Sequence, residues 1–145
     1  MVSVDANYCP TCGASLSRRA FEERERRYCP DCERFVWRNP VPTAGVAVRG
    51  KDRVLLVQRA GGPNEGNWTL PGGFLEYDES APDAAVRELQ EEAGVDADSS
   101  ELRLLATHHH EQSGAALYQE QHVLLIRYVV DGEHVTGAPV AGSDA

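Results

Sequence analysis

A run of carboxylates with one guanidinium stands out as the part of this chain able to do chemistry. Glu79, Arg87, Glu88, Glu91 and Glu92 follow closely on the glycine pair Gly72-Gly73. Clustered carboxylates offer hard oxygen donors, which suit Mg²⁺ or Mn²⁺ held jointly with the phosphates of a substrate. A glycine pair lets backbone approach a cation or a phosphate closely. The competing reading is a solvated acidic helix face. It fares badly, because Glu88–Glu91 and Glu88–Glu92 are like-charge pairs at i,i+3 and i,i+4 that destabilise an isolated helix. No lysine on the helix relieves them, since Lys51 is the only lysine in the chain.

The element that must position these groups is a helix over residues 81–93. Ser80 is a good N-cap with Asp83 three residues on, an aspartate variant of the capping box. Pro82 sits in the first turn, where its missing N–H is harmless. Gly94 suits the left-handed residue that ends a helix. At roughly 100° per residue, Glu88, Glu91 and Glu92 fall on one narrow stripe. Ala85, Val86, Leu89 and Ala93 form an adjacent apolar face to bury. Ala84 lies on the acidic stripe and leaves room beside the carboxylates, and Arg87 flanks it.

The stretch from Gly73 to Val95 reads G-x5-E-x7-R-E-U-x-E-E-x-G-U, with Leu89 and Val95 at the aliphatic positions U. It resembles the Nudix box at every fixed position, and the approach Trp68-Thr69-Leu70-Pro71-Gly72-Gly73 is similar to that of Nudix hydrolases. Asp78 stands where many relatives have glycine, at a position the motif leaves free. The resemblance implies an α/β fold, a Nudix α/β/α sandwich with a mixed sheet, over about residues 43–140. It implies hydrolysis within the pyrophosphate of a nucleoside diphosphate linked to another moiety. Mg²⁺ (or Mn²⁺) would be held by Glu88, Glu91, Glu92 and the Gly72 carbonyl. Gly72, Gly73 and Glu79 would form the cofactor-binding surround, with Glu79 a support or outer metal contact. Glu88 or Glu91 would take the proton, with Glu111 and Glu120 as candidates outside the box. Arg87 would orient the box carboxylates through Glu79.

A second constellation lies near the N-terminus. Cys9-Pro10-Thr11-Cys12 and Cys29-Pro30-Asp31-Cys32 are two C-x2-C knuckles, each preceded by a tyrosine (Tyr8, Tyr28). The spacing fits a structural Zn²⁺ bound by Cys9, Cys12, Cys29 and Cys32, as in a zinc ribbon. Disulfides or a redox C-x-x-C are the rival readings. The lack of a signal-peptide pattern argues against the first, and the matched knuckles against the second. So short a module cannot bury a core, so metal would supply its folding energy. Between the knuckles, arginines interleave with Glu22, Glu23 and Glu25, which favours a solvated arm over the rival reading of a basic strip for nucleic acid. WRNPVP then serves as a linker, dividing a zinc ribbon (1–38) from a Nudix domain (39–145).

Within the larger domain, Thr43–Arg49 and Arg53–Arg59 are expected strands around the turn Gly50-Lys51-Asp52. Residues 96–100 read as a polar loop, and Leu102–His110 and Leu117–Val130 as strands. His108, His109 and His110 cannot converge on one ligand, because strand alternation sends His109 to the opposite face; His122 is fixed by nothing. After the turn signal Asp131-Gly132, residues 132–145 are small and polar. Nudix domains usually continue with another strand and a helix, so this strand and helix are expected to be missing; either the protein is naturally short or a partner chain completes it, and an exposed sheet face would be a site of association or instability.

Composition bounds the partners. Lys+Arg is 14 against Asp+Glu 23, for a net charge of −9. The imbalance sits in residues 41–145, which argues against nucleic acid as a partner of the larger domain. Scarce lysine with abundant carboxylate resembles proteins of salt-loving archaea. No run approaches the ~20 apolar residues of a membrane span, so a cytoplasmic protein with no membrane partner is expected. The expected ligand is a small-molecule nucleotide derivative, with a homodimer as the open assembly. A zinc ribbon before a Nudix domain resembles the NADH pyrophosphatase group, but the S-Q-P-W-P-F-P-x-S type segment of that group is absent. ADP-ribose is therefore the first expected substrate, followed by NAD(H) and nucleoside triphosphates. Trp37 and Trp68 are candidates for base stacking or for packing. A non-catalytic nucleotide sensor, its ribbon binding protein or nucleic acid, is the alternative; the intact box weighs against it.

Overall fold

The computed structural model describes residues 3–61, 64–112 and 121–140. The described residues form two compact units, one comprising residues 3–41 with Glu111, Gln112, Gln121 and His122, the other residues 42–61, 64–110 and 123–140.

The first unit is built on a three-stranded antiparallel sheet, β1 (Ser17–Phe21), β2 (Arg24–Cys29) and β3 (Arg34–Val36), in that order. β1 and β2 are joined by the two-residue turn Glu22-Glu23. Both residues have positive φ (47° and 62°), the twist that a tight hairpin requires. Little is buried here besides Cys9, Cys29 and Val36. Packing comes instead from rings: Phe35 lies 5.0 Å from Phe21, 5.3 Å from Tyr28 and 5.8 Å from Trp37, centroid to centroid. That places Trp37 in a ring cluster of its own unit, the packing alternative of its sequence reading.

The second unit centres on a four-stranded sheet, ordered β7-β4-β10-β9 when numbered along the chain. β4 spans Val41–Arg49, β5 Val57–Gln58, β6 Trp68–Thr69 and β7 Gly72–Phe74. The helix α1 (Ala81–Ala93) follows, then β8 (Asp96–Ala97), β9 (Arg103–Gln112), β10 (Gln121–Asp131) and β11 (Val135–Thr136). β7 runs antiparallel to β4. β10 runs parallel to β4, because Arg127 reaches Gly45 while Asp131 takes the Arg49 guanidinium at 2.8 Å, the same offset at two points. Arg103, at the start of β9, also reaches Asp131, at the end of β10, so those two strands are antiparallel. The sheet is therefore mixed, as expected.

The helix has the expected limits. Ser80 accepts from the Asp83 N–H, and Gly94 (φ 68°) donates to the Gln90 carbonyl at 3.0 Å. Ala84, Ala85, Leu89 and Ala93 are buried and join Ala44, Val46, Val57, Val95 and Val130 in one core. Ala84 thus seats the helix on the sheet as well as sparing room beside the carboxylates.

Three expectations change. Arg53–Arg59 is not one strand: Val54 makes a lone bridge to Arg49, Leu55 N–H donates to the Val48 carbonyl, and regular pairing resumes only at β5. Burial still alternates, with Val54 and Leu56 exposed and Leu55 and Val57 turned inward, so what is lost is the regular pairing and not the strand's pattern. The polar stretch 96–100 contributes β8 and a 3-10 turn (Ser99–Glu101) capped by the Asp98 side chain. The tail is not featureless either, since β11 pairs with β8 and Val140 N–H donates to the Ala93 carbonyl at 2.9 Å. Among the described residues α1 is the only α-helix. Residues 117–120 of the last expected strand, and Glu120 with them, lie outside the described residues.

Candidate active site

Arg87 is the hub around which the carboxylates gather. Its Nε and Nη2 donate to the two oxygens of Glu79 at 3.1 and 2.7 Å, a forked pair. Nη1 donates to Glu88 Oε1 at 2.7 Å and to Glu91 Oε2 at 3.1 Å. Nη2 also reaches the Phe74 carbonyl at 3.0 Å, tying the hub to β7. Glu79 accepts in turn from the Glu76 N–H at 2.7 Å, which closes the loop between β7 and α1. Arginine is required at this point, because these five bonds use all five guanidinium donors, whereas a lysine ammonium has three.

The like-charge repulsion anticipated on the helix is met in this way for Glu79, Glu88 and Glu91. Glu92 turns elsewhere, accepting from the Gly72 N–H at 3.0 Å. That bond ties its carboxylate to the strand that carries the Gly72 carbonyl.

The glycine pair works by what it leaves out. A Cβ on Gly73 would lie 2.4–2.7 Å from the Glu88 carboxylate, so Glu88 occupies the space a side chain would fill. Gly72 has φ 154°, and a Cβ there would meet the Ala44 carbonyl at 2.5 Å. The sequence suggested glycine for the approach of a cation or phosphate; the close approaches seen are of the Glu88 carboxylate and of the neighbouring strand.

The electrostatics follow from the hub. Hydrogen bonding to Arg87, then to the Glu76 N–H, holds the Glu79 carboxyl below the usual glutamate range. Glu79 and then Glu88 push the Arg87 guanidinium further up, against the opposing effect of burial. A carboxylate depressed in the folded state stabilises the fold above its unfolded pKa, and that contribution is lost as pH falls through the folded value. Glu79→Gln should therefore lower stability at neutral pH and flatten its decline below about pH 4.5, read from urea midpoints across pH. An unchanged acid limb would contradict the pairing.

Three further side chains border this region. A cavity of about 460 Å³ is lined by Leu56, Val57, Arg59, Trp68, Glu92 and Val140 among others. Trp68 is 64% exposed, so it edges a cavity and is no part of the core. Sequence reasoning passed over Arg59, though a lone arginine ending the apolar run VLLVQR was a usable signal. It also passed over Arg127, the sole charge within HVLLIRYVV. Arg127 Nη1 is buried with no hydrogen-bond partner, near Gly45 and Gly72. Burial pulls its guanidinium below the usual arginine value, with the Glu92 charge opposing.

The other candidates do not join the box. Glu111 and the exposed His108, His109 and His110 all lie on β9, and His122 on β10. None belongs to a metal-ligand cluster among the described residues.

The four cysteines do cluster. Their sulfurs all lie within 4.8 Å of one another, with Cys9–Cys32 at 4.0 Å and Cys12–Cys29 at 3.6 Å. A tetrahedron with Zn–S bonds of ~2.3 Å has edges of about 3.8 Å, so the set fits zinc; disulfide sulfurs would stand ~2.05 Å apart. The cysteines are free. Thr11 N–H points at Cys9 Sγ and Cys32 N–H at Cys29 Sγ, both at 3.4 Å. Backbone donors of Cys12 and Thr11 bring Cys9 down to about 6, whereas Cys12 and Cys29 push Cys32 up to about 12. Such divergence is what a shared cation would remove. Among the described residues no carboxylate set is drawn together this tightly: Glu88 and Glu91 meet on Arg87, whereas Glu92 turns to the Gly72 N–H.

A mixed sheet backed by one acidic helix, with an arginine hub and glycine-lined strands, defines a Nudix-type α/β domain, here accompanied by a four-cysteine ribbon. The NUDIX domain family profile matches residues 39–145, and the chain belongs to that family. The chain is 31% identical over 100 residues to a putative ADP-ribose pyrophosphatase of Bacillus subtilis, covering 68% of this chain and 47% of that protein. It is 33% identical over 90 residues to an NAD-capped RNA hydrolase of Vibrio parahaemolyticus, covering 61% and 33%. Among solved structures, a NUDIX hydrolase from Nitrosomonas europaea matches with TM-score 0.66 and 26% identity, over 97% of this chain and 74% of that one. This chain thus spans half or less of those curated relatives. No helix among the described residues is long and apolar enough to cross a membrane.

Proposed function

We propose that the chain is a divalent-cation-dependent pyrophosphohydrolase of nucleoside diphosphates linked to another moiety, with ADP-ribose the first substrate. Residues 39–145 would form the catalytic domain and residues 1–38 a structural zinc ribbon. The observation that carries the reading is the arginine hub. One side chain orients Glu79, Glu88 and Glu91, while Glu92 is fixed beside Gly72 at the edge of a cavity bordered by Trp68 and Arg59.

The donor set fits Mg²⁺ or Mn²⁺: Glu88, Glu91, Glu92 and the Gly72 carbonyl offer only hard oxygens. When bound, such ions neutralise phosphate charge and lower the pKa of water. The chain's own groups do the rest. Arg87 aims the carboxylates of Glu79, Glu88 and Glu91. Of Glu88 and Glu91, the two box candidates for accepting the proton of an attacking water, Glu91 is preferred, because 47% of its side chain is exposed against 13% for Glu88. Arg59, at the cavity wall, supplies a charge for the substrate's phosphates, and the exposed Trp68 ring a surface for its base.

A second reading is supported by one relative, an ADPR-responsive transcriptional repressor of Acinetobacter baylyi, 31% identical over 87 residues. On it the domain senses the same ligand without cleaving it. A panel of ADP-ribose, NAD(H) and nucleoside triphosphates with Mg²⁺ and product analysis separates the two. AMP and ribose 5-phosphate from ADP-ribose would support the enzyme; tight binding of ADP-ribose without turnover would overturn it in favour of the sensor.

A further inference from the structure

Along the sequence, the ribbon's arginines are interleaved with acids; in space they are not. The β1–β2 register pairs Arg19 with Arg26 and Phe21 with Arg24, and strand alternation places these four on one face. Tyr28, Phe35 and Trp37 share that face, shown by Arg19 lying 4.6 Å above the Tyr28 ring, Arg26 4.7 Å above Trp37, and Phe21 against both Phe35 and Trp37. The acids go elsewhere. Glu25 pairs with Arg18, and Asp5 with Arg18 and Arg27, on the opposite face. Glu22 and Glu23 are confined to the hairpin turn. Among the described residues no carboxylate makes an ion pair with Arg19, Arg24 or Arg26.

We propose that this arginine-and-aromatic face of the ribbon sheet binds single-stranded nucleic acid. Three uncompensated guanidinium groups complement a phosphate backbone, and rings beside them offer stacking surfaces to unpaired bases. Phe21 and Trp37 each keep 38% of their surface exposed even after packing on Phe35. On the opposite face Asp5 and Glu25 hold Arg18 and Arg27 in ion pairs, and Arg34, placed there by the β2–β3 register, donates to the Thr11 hydroxyl. The strongly acidic remainder of the chain restricts such binding to this face.

The test uses the zinc-loaded full chain with Glu91→Gln, so that turnover cannot remove the probe. Fluorescence anisotropy follows a labelled uridine-rich RNA of about 12 nucleotides, the matching DNA, and a duplex of equal length, from about 50 mM KCl upward. Both single strands should bind, with log affinity falling against log salt at a slope of about −2, as about three phosphate contacts require. Arg24→Gln, which removes neither the Arg19–Tyr28 nor the Arg26–Trp37 stack, should reduce that slope by about 0.7. The triple variant Arg19→Gln, Arg24→Gln, Arg26→Gln should abolish it, and Arg18→Gln should change nothing. The proposal is overturned by failure of both single strands to bind at the lowest salt, by duplex binding as tight as single strand, or by equal losses in Arg18→Gln. Sedimentation showing this face buried in a dimer of the chain would also overturn it. None of these outcomes depends on whether the larger domain cleaves ADP-ribose.

Discussion

Glu91→Gln is expected to lower Mg²⁺-dependent hydrolysis by about a thousandfold, the scale of a lost general base, while leaving the fold intact. The two halves of that expectation have separate grounds. Glutamine keeps the length and shape of the side chain but removes the negative charge that would accept a proton or help hold a cation. Structurally little is lost, since Glu91 touches Arg87 through one contact at 3.1 Å and is about half exposed. An exposed i,i+4 pair contributes only about 0.3–0.5 kcal/mol, and removing Glu91's charge relieves repulsion with Glu88. Arg87 would keep its fork on Glu79 and its bond to Glu88. Circular dichroism and the thermal midpoint should therefore match the parent while turnover is lost. A variant within about threefold of parental kcat/KM would remove Glu91 from the chemistry.

Loss of zinc should undo the first unit and spare the second. Elemental analysis should give one zinc per chain, and a strong chelator should remove it with collapse of the β1–β3 sheet. The reason is what remains without it: besides two cysteines, Val36 is the one buried hydrophobic residue of that sheet, and ring contacts on an exposed face cannot hold three short strands. Cys29→Ser should behave like chelation, because Cys29 is fully buried and bonded to both its neighbours in the cluster. The core around Leu89 and Val46 lies wholly in the second unit and should melt unchanged. A chain purified without zinc yet retaining the ribbon's fold would refute a structural metal.

The parts of this protein that could be read from sequence are those governed by short-range rules. The helix limits followed from Ser80, Pro82 and Gly94, since capping is decided within a few residues. The cysteine cluster followed from spacing, because two knuckles have few ways to close. Less was legible where the outcome depends on partners far along the chain. Residues 53–59 carry a strand's composition, yet beyond the lone Val54–Arg49 bridge only Val57 and Gln58 pair as a strand, because β4 turns to β7 and β10 for its neighbours. The tail looked structureless because its partners, Ala93 and β8, lie some forty residues upstream. Arg127 was invisible as a site residue for the same reason: nothing near it in sequence says that Gly45 and Gly72 will open a space before it. The ribbon's charges show the converse case, where order along the chain misleads and alternation across a sheet sorts them.

The bond from the Val140 N–H to the Ala93 carbonyl closes the last turn of α1 with a residue 47 positions further on. β11 reaches β8 across a comparable stretch. At the usual 5–20 residues per second, that partner emerges from the ribosome roughly 2–9 s after the helix. Throughout that interval the end of α1 that bears Glu91 and Glu92 stands without its tie to the tail. A nascent chain arrested before Val140 should thus show normal amide protection near Ser80 and fast exchange near Ala93, so that the acidic end of the helix is the last part of the domain to become ordered during synthesis.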